Sequence, residues 1–348
     1  MSISVVEAEV EQNLELFQTL LNRNRKRKVG RNRFEWLYLY NPQGGARAWF
    51  VEDRRTGEPV AFTSVLPRLV KVDGTDIVCW NCCDFSVDRK YRTLGVALKL
   101  RKKAKECVDN GEVQALYAHP NDRMEVIHKK AGHLRIGQMR RFVKLLRSER
   151  QIEKFIKNKL LSSFLSPSAN LFLGVKDKLI KIDKRYSVQW LENQEFDDEY
   201  DCLFEEASRG YRILGDRRAS YLNWRYGQNP LYPTHRVTIR NEGKLVGYVL
   251  FHLHKGVAVL KDILCMPYDN VLNTLLGHAI RMLRERRIDS ISAIFMDKNP
   301  VVRSLEHLGF RRRPEVSSVY AYAREDDHTR RVWVDGKSWY MTEGDRDL

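Results

Sequence analysis

At 348 residues, with 43% hydrophobic and 30% charged side chains, the chain has the make-up of a water-facing globular protein with room for two ordinary domains. No apolar run approaches the roughly 18 residues that a helical membrane span needs, and the acidic, polar-interrupted start MSISVVEAEVEQNLELF is unlike a secretory or transit leader. The net charge of +16 falls wholly in the first part: residues 1–190 hold 37 Lys/Arg against 21 Asp/Glu, and residues 191–348 hold 24 of each. An anionic partner for the first part is therefore expected.

The densest basic run is Arg23-Asn-Arg-Lys-Arg-Lys28, followed by Arg31 and Arg33. After it comes Trp36-Leu-Tyr38-Leu-Tyr-Asn41-Pro42, then two strand-like stretches, Ala48–Glu52 and Pro59–Leu66, around Thr56-Gly57. Cys79, Cys82 and Cys83 share one apolar strand. With no second ligand pair at a usable spacing they read as buried thiols, not as a metal site. The six cysteines follow no disulfide rhythm, so a reducing, cytoplasmic setting is expected. A helix over Leu98–Asn110, a strand over Val113–Ala118, a helix opened by Asn121 and a strand over Gln138–Leu145 complete the first half. Arg140–Lys184 is rich in Lys, Leu, Phe and Ser and reads as a strand end followed by helical segments, with its softest point at Ser166-Pro167-Ser168.

The second half echoes the first. Trp224-Arg-Tyr226-Gly-Gln-Asn229-Pro230 repeats W-x-Y-x-x-N-P 188 positions on. The stretches Arg236–Arg240 and Leu245–Leu253 flank Glu242-Gly243, and Asp84-Phe-Ser-Val is answered by Asp262-Ile-Leu-Cys. Asn121…Gly132 is answered by Asn299…Gly309. A helix over Leu272–Arg286 follows. Punctuating residues that recur in one order predict two related α+β domains. Their division is 1–147, a helical linker or flap over 148–188, and 189–348.

The chemistry concentrates in Asp84-Phe85-Ser86-Val87-Asp-Arg-Lys-Tyr91-Arg92-Thr93-Leu94-Gly95-Val96-Ala97. A strand ends near Val87 and a helix opens at Gly95. The first amides of a helix lack intrahelical acceptors and sit at the positive end of its dipole. Gly95 and the small Ala97 keep that surface bare enough for a pyrophosphate to reach the N–H groups, and Arg92 adds charge beside it.

This loop resembles the cofactor loop of the GNAT (Gcn5-related N-acetyltransferase) family, V-x-P-x-Y-R-x-x-G-x-G/A, with Arg89 in place of the proline. Asn121-Asp-Arg-Met-Glu-Val-Ile-His128-Lys-Lys-Ala-Gly132-His133 resembles the family's later N-x-x-A-x-x-L-Y-x-K-x-G-F. The resemblance covers residues 30–147 well and 190–345 in outline. It implies two tandem GNAT-like domains, each a mixed, mostly antiparallel sheet flanked by helices. It also implies direct transfer of an acyl group from acetyl-CoA or another acyl-CoA, without a metal, to a primary amine of a small molecule, amino sugar or peptide. On that resemblance Phe85, Ser86, Val87, Arg92, Thr93, Leu94, Gly95, Val96, Ala97 and Asn121 are expected at the cofactor. His128 takes the place of the family's thiolate-protonating tyrosine as general acid, and Asp84 is a water-relay or structural carboxylate. Asn121 also reads as a plain helix cap.

The second copy keeps the strand but offers neither Arg nor Gly at the phosphate positions, so it is expected to bind no CoA and to wall the acceptor side or serve structure. Trp224, Arg225, Tyr226, Tyr211 and Arg212 are candidate acceptor contacts, with core packing the stronger reading for the recurrent Trp and Tyr. The tail from Trp333 through Trp339 to the final acids either lines a site or seals the last strand. The alternative function is a non-catalytic nucleic-acid- or polyanion-binding protein on a retired scaffold, with Arg23–Arg33 and Lys99–Lys105 tracking phosphates. The intact Arg92, Gly95 and Ala97 disfavour it.

Overall fold

The computed structural model describes residues 3–92, 95–149, 152, 159–192, 194–267 and 270–347. In the first half the order is β1 (Ile3–Ala8), α1 (Leu14–Asn24), β2 (Arg47–Asp53), β3 (Glu58–Val72), β4 (Thr75–Val87), α2 (Val96–Asp109), β5 (Ala115–Ala118), α3 (Asp122–Lys130) and β6 (Leu134–Leu145). Helix α4 (Lys159–Lys178) connects to β7 (Tyr186–Glu192), α5 (Asp198–Ser208), β8 (Ile213–Gly215), β9 (His235–Asn241), β10 (Lys244–His254) and β11 (Val257–Cys265). Then come α6 (Val271–Glu285), β12 (Ser290–Met296), α7 (Val301–His307), β13 (Arg311–Ala323) and β14 (Trp339–Tyr340). This is an α+β fold. The helix over 159–178 runs through Pro167, where the sequence had suggested its softest point.

The strands form one mixed sheet in the order β1-β2-β3-β4-β5-β13-β6-β12-β11-β10-β9-β7, with β8 joining β3 to β14. Read from either end the order is the same succession of equivalents, so the two halves are related by a pseudo-two-fold axis between β13 and β6. The sixth strand of each half is exchanged: β6 pairs with β12, from Ser290↔Leu145 to Met296↔Met139, and β13 pairs with β5, from Tyr320↔Ala118 to Ala323↔Ala115. The tight turns obey local chemistry. At Glu242-Gly243 both residues have positive φ, +48° and +84°, the twist that suits a two-residue hairpin between β9 and β10.

The repeated W-x-Y-x-x-N-P segments explain how the halves meet. Each folds into a π-helical turn, closed by Tyr40 N–H donating to Glu35 C=O at 3.2 Å and by Gln228 N–H donating to Asn223 C=O at 2.7 Å. The turns face each other across the pseudo-axis. Trp36 Nε1 donates to the Trp224 carbonyl at 2.8 Å, and Trp224 Nε1 returns the bond to the Trp36 carbonyl at 2.9 Å. Their rings lie 5.4 Å apart, and one apolar cluster runs through both halves around them. A buried indole needs a partner for its N–H; here the recurrence supplies it reciprocally. Trp224 and Tyr226, weighed as acceptor contacts, are both buried in that cluster.

Candidate functional site

The site is built where β4 outruns β5. Their parallel pairing stops at Cys82↔Ala118, and among the described residues no strand pairs with that edge of Cys83–Val87. On its other side β4 is held by β3, with an extra residue at Cys83–Asp84 between the pairs Val65↔Cys82 and Thr63↔Phe85. A bulge of this kind re-aims side chains beside a cleft. It leaves a notch between β4 and β5 with bare backbone on one wall.

Gly95 lies beyond the strand end. It caps α2 in the left-handed region, φ +71°, and among the described residues no atom beyond its chain neighbours and its own helix backbone lies within 4 Å of where its Cβ would stand. The helix N-terminus is therefore open at that point, as a phosphate cradle requires. Val96 is buried against the sheet and Ala97 is half-buried. Thr93 and Leu94 lie outside the described residues. Arg92 is exposed and pinned: its Nε donates to the Val87 carbonyl at 3.0 Å and its Nη2 to Asn24 Oδ1 at 2.7 Å. Asn24 donates to Ser86 Oγ at 2.9 Å, while Ser86 donates to the Leu20 carbonyl at 2.7 Å, so α1 is laced to the end of β4. The basic run joins the same rim, with Arg23 on Asp88 at 3.1 Å and Arg25 on Asp84 at 3.2 Å. Phe85 is half-buried against the α2 face, Val87 buried.

Asp84 points to the opposite face. Arg33, itself buried, grips it with Nη1–Oδ2 at 2.6 Å and Nη2–Oδ1 at 3.1 Å, and Tyr38 donates its hydroxyl to Oδ2 at 3.0 Å. Tyr38 also meets Ser64 Oγ at 2.7 Å. With Arg25 added, the carboxylate is surrounded by donors, the arrangement of a structural anchor for the bulge. Neighbouring Cys83 is held well above the usual thiol range by burial and by Asp84, and burial also raises Cys82. Neither thiol is poised as a nucleophile.

Asn121 caps α3: its side chain accepts from Met124 N–H at 3.1 Å. His128, on the inner face of α3, is buried, and its Nδ1 lies 2.9 Å from Nδ1 of buried His133. One ring must donate and the other accept, so at most one carries its proton on that nitrogen. Burial, then the Arg101 charge, then His133, push the His128 pKa well below 6.5; His133 is lowered to about 3 by burial and by Arg101 and Lys105. In the free protein His128 is thus a neutral imidazole. This environment disfavours the imidazolium, so His128 offers a neutral ring.

Arg101, Arg33 and His133 were missed as individuals by the sequence reading. Arg101 donates to Thr63 Oγ1 at 3.0 Å from the buried face of α2, and its Nε and Nη1 have no partner among the described residues. Its signal was an arginine among the inward positions Leu100, Ala104, Cys107 and Val108.

The matching notch of the second half is filled. There β11 and β12 part after Leu260↔Ala293, with an extra residue at Lys261. The tail enters the gap: Thr342 bridges to Phe295 and donates to Asp262 at 2.9 Å, while Lys261 Nζ meets Glu343 at 2.6 Å. Asp345 is clamped by Arg68 at 3.1 Å and Arg217 at 2.6 Å. Arg225, weighed for the acceptor, instead donates to the carbonyls of Gly344 and Arg346 at 3.2 and 2.6 Å. Arg212 pairs with Asp73 at 2.8 Å, the Tyr211 ring lies 4.6 Å from that of Tyr340, and Trp333 and Trp339 are buried. Helix α6 opens at Asn270, φ +66°, the backbone geometry of Gly95 with a side chain added.

Beyond the notch, Asp347 comes under the influence of Asp84 and Arg33, and burial with the Asp84 charge raises its carboxyl above the usual range. A cavity of about 280 Å³ lies elsewhere, between Phe196, Tyr226, Tyr232 and Arg236. Among the described residues no three potential ligands gather as a metal site, and no helix is long and apolar enough to cross a membrane.

The fold is similar to that of tandem GNAT structures. A GCN5-related N-acetyltransferase from Anabaena variabilis superposes with a TM-score of 0.66 at 10% identity, over 92% of this chain and 73% of that one. A tandem GNAT protein from the clavulanic acid biosynthesis pathway gives 0.55 at 14%, over 94% and 100%. Saccharomyces cerevisiae N-myristoyltransferase, solved with myristoyl-CoA, gives 0.57 at 13%, over 92% and 82%. No protein-family model matches the sequence, and no curated protein sequence does.

Proposed function

We propose that the chain is an acyl-CoA-dependent N-acyltransferase whose working site is the β4–β5 notch of residues 1–147, with 189–348 as a second GNAT-like domain that binds no CoA. The observation that carries this is the unobstructed, left-handed Gly95 at the mouth of α2, set at the end of a strand with one bare edge. The CoA thioester supplies an activated acyl group. The first amides of α2 and Arg92 hold its diphosphate. The N–H groups of this stretch that face away from β3, those of Phe85 and Val87, steady the pantetheine arm and the carbonyl oxygen that gains charge as an amine attacks. His128 serves as a hydrogen-bond donor beside the sulfur, drawn toward protonation as negative charge gathers there. Asp347, with its raised carboxyl, takes the proton from the attacking nitrogen. Asp84 positions the bulge.

The acceptor reading is an amine of a small molecule, amino sugar or peptide, and acetyl-CoA is the default donor. Thermal melting with CoA and acetyl-CoA tests the cofactor half. No stabilisation at millimolar ligand, together with salt-sensitive binding to RNA or DNA, would transfer support to the polyanion reading. With an acceptor in hand, Asp347→Asn and His128→Phe should each lower kcat by about 10²-fold. A His128→Phe enzyme with full turnover removes that residue from the chemistry.

A further inference from the structure

The end of helix α4, from residue 170 on, is mounted the opposite way round from an ordinary surface helix. Its polar side faces the body: Asp177 is buried between Lys144 Nζ at 2.7 Å and Arg284 Nη2 at 2.5 Å, and Asn170 accepts from Ser148 N–H at 2.7 Å and donates to Glu149 at 3.0 Å. Its apolar side faces out. Leu171 is 70% exposed, Phe172 61%, Val175 48% and Leu179 77%, four of the ten large hydrophobics exposed among the described residues. Leu179 extends the helical path, with its N–H on the Val175 carbonyl at 3.2 Å.

At roughly 100° per residue these four fall within an arc of about 100°, whereas Asn170 and Asp177 lie about 150–170° from its middle. A surface helix normally turns such a stripe inward. Single exposed leucines mean little, but a contiguous stripe marks a contact surface.

Charge selects the occupant. From Pro167 to Arg185 the sequence holds five Lys/Arg and two Asp. Both acids are spent, Asp177 as described and Asp183 on Arg185 at 2.6 Å. Lys178 borders the stripe, and Lys181 and Lys184 follow it; all three are exposed. A second copy would bring another +16 against this face. Anionic lipid headgroups above an acyl boundary answer both features at once, the stripe entering the boundary and the lysines reaching back to the phosphates.

We propose that α4 is a membrane-surface docking helix: Leu171, Phe172, Val175 and Leu179 enter one leaflet of an anionic bilayer, and Lys178, Lys181 and Lys184 pair with its headgroups. The protein rests on the surface without crossing it. This stands apart from the acyltransferase reading and survives its failure.

The test is co-sedimentation of the full chain with vesicles of phosphatidylcholine containing about 30 mol% phosphatidylglycerol, against pure phosphatidylcholine, at about 0.1 and 0.5 M salt. Binding should be at least about 10-fold stronger on the anionic vesicles and should weaken with salt. Leu171→Glu with Leu179→Glu, and separately Lys178→Glu with Lys181→Glu, should each reduce it by about 10-fold or more, with the melting temperature held because these side chains are exposed. Equal binding by the variants, or no binding of the wild type at millimolar lipid, overturns the proposal. So does a wild-type dimer in sedimentation velocity that the leucine variant abolishes.

Discussion

Replacing Gly95 separates the site from the fold. Among the described residues nothing beyond its own helix and chain neighbours occupies the space of a Cβ there, so the penalty comes from φ +71°. Asn270 holds φ +66° at the corresponding mouth of α6, so Gly95→Asn should fold with a loss of no more than about 1 kcal/mol. Gly95→Val, β-branched in the left-handed region, should lose about 1–3 kcal/mol. Both side chains would project into the space that the proposed diphosphate would take.

At 100 times its Kd, CoA should stabilise the wild type by about 2.7 kcal/mol. Unfolding entropy near 2 cal/mol/K per residue over 348 residues converts this to a rise in Tm of about 4 °C. Differential scanning fluorimetry with and without CoA should show that rise in the wild type, less than about 1 °C in Gly95→Asn, and none in Gly95→Val. A Gly95→Asn protein with an undiminished CoA shift would refute the cradle argument. The same protein failing to fold would refute the steric one.

Asp84→Asn should strip the buried Arg33 of its counter-charge and lower unfolding stability by about 3–5 kcal/mol in urea denaturation, whereas Asp88→Asn on the rim should lower it by less than about 1. Trp36→Phe removes one of the two reciprocal indole bonds and leaves the Trp224 carbonyl without that donor, at about 1–3 kcal/mol by the same measurement. Acid should be unusually destabilising. His128, His133 and His252 are buried, the last lowered to about 3 mainly by burial, so below pH 6.5 the unfolded chain binds protons that the folded one refuses. Their contribution is present above pH 6.5 and is lost as the pH falls toward 3. At pH 5 it amounts to about 2 kcal/mol for each of His133 and His252, visible as a falling denaturation midpoint between pH 7 and 5. A flat profile there would show that the rings titrate normally.

The turns and caps written in local chemistry were legible in the sequence. Gly95 and Asn121 act within a few residues of themselves, and the repeats announced two copies of one fold. β1 and β7 were not anticipated, because their burial alternates weakly at the two edges of the sheet. The basic stretches misled in a specific way. Arg33 and Arg101 read as members of basic runs turned toward an anionic partner, yet each turns inward to a partner on a distant strand, Asp84 or Thr63. The exchange of sixth strands left no local trace, since β6 and β13 carry the same pattern whichever fifth strand they join.

That exchange has a consequence for synthesis. Until residues 320–323 have left the ribosome, β5 has no neighbour on the side that β13 will occupy. The first half must therefore wait with a raw sheet margin, a ready template for the wrong chain. Cutting the gene between the halves would yield two fragments that each lack the strand the other carries. Such fragments should reassemble only when made together.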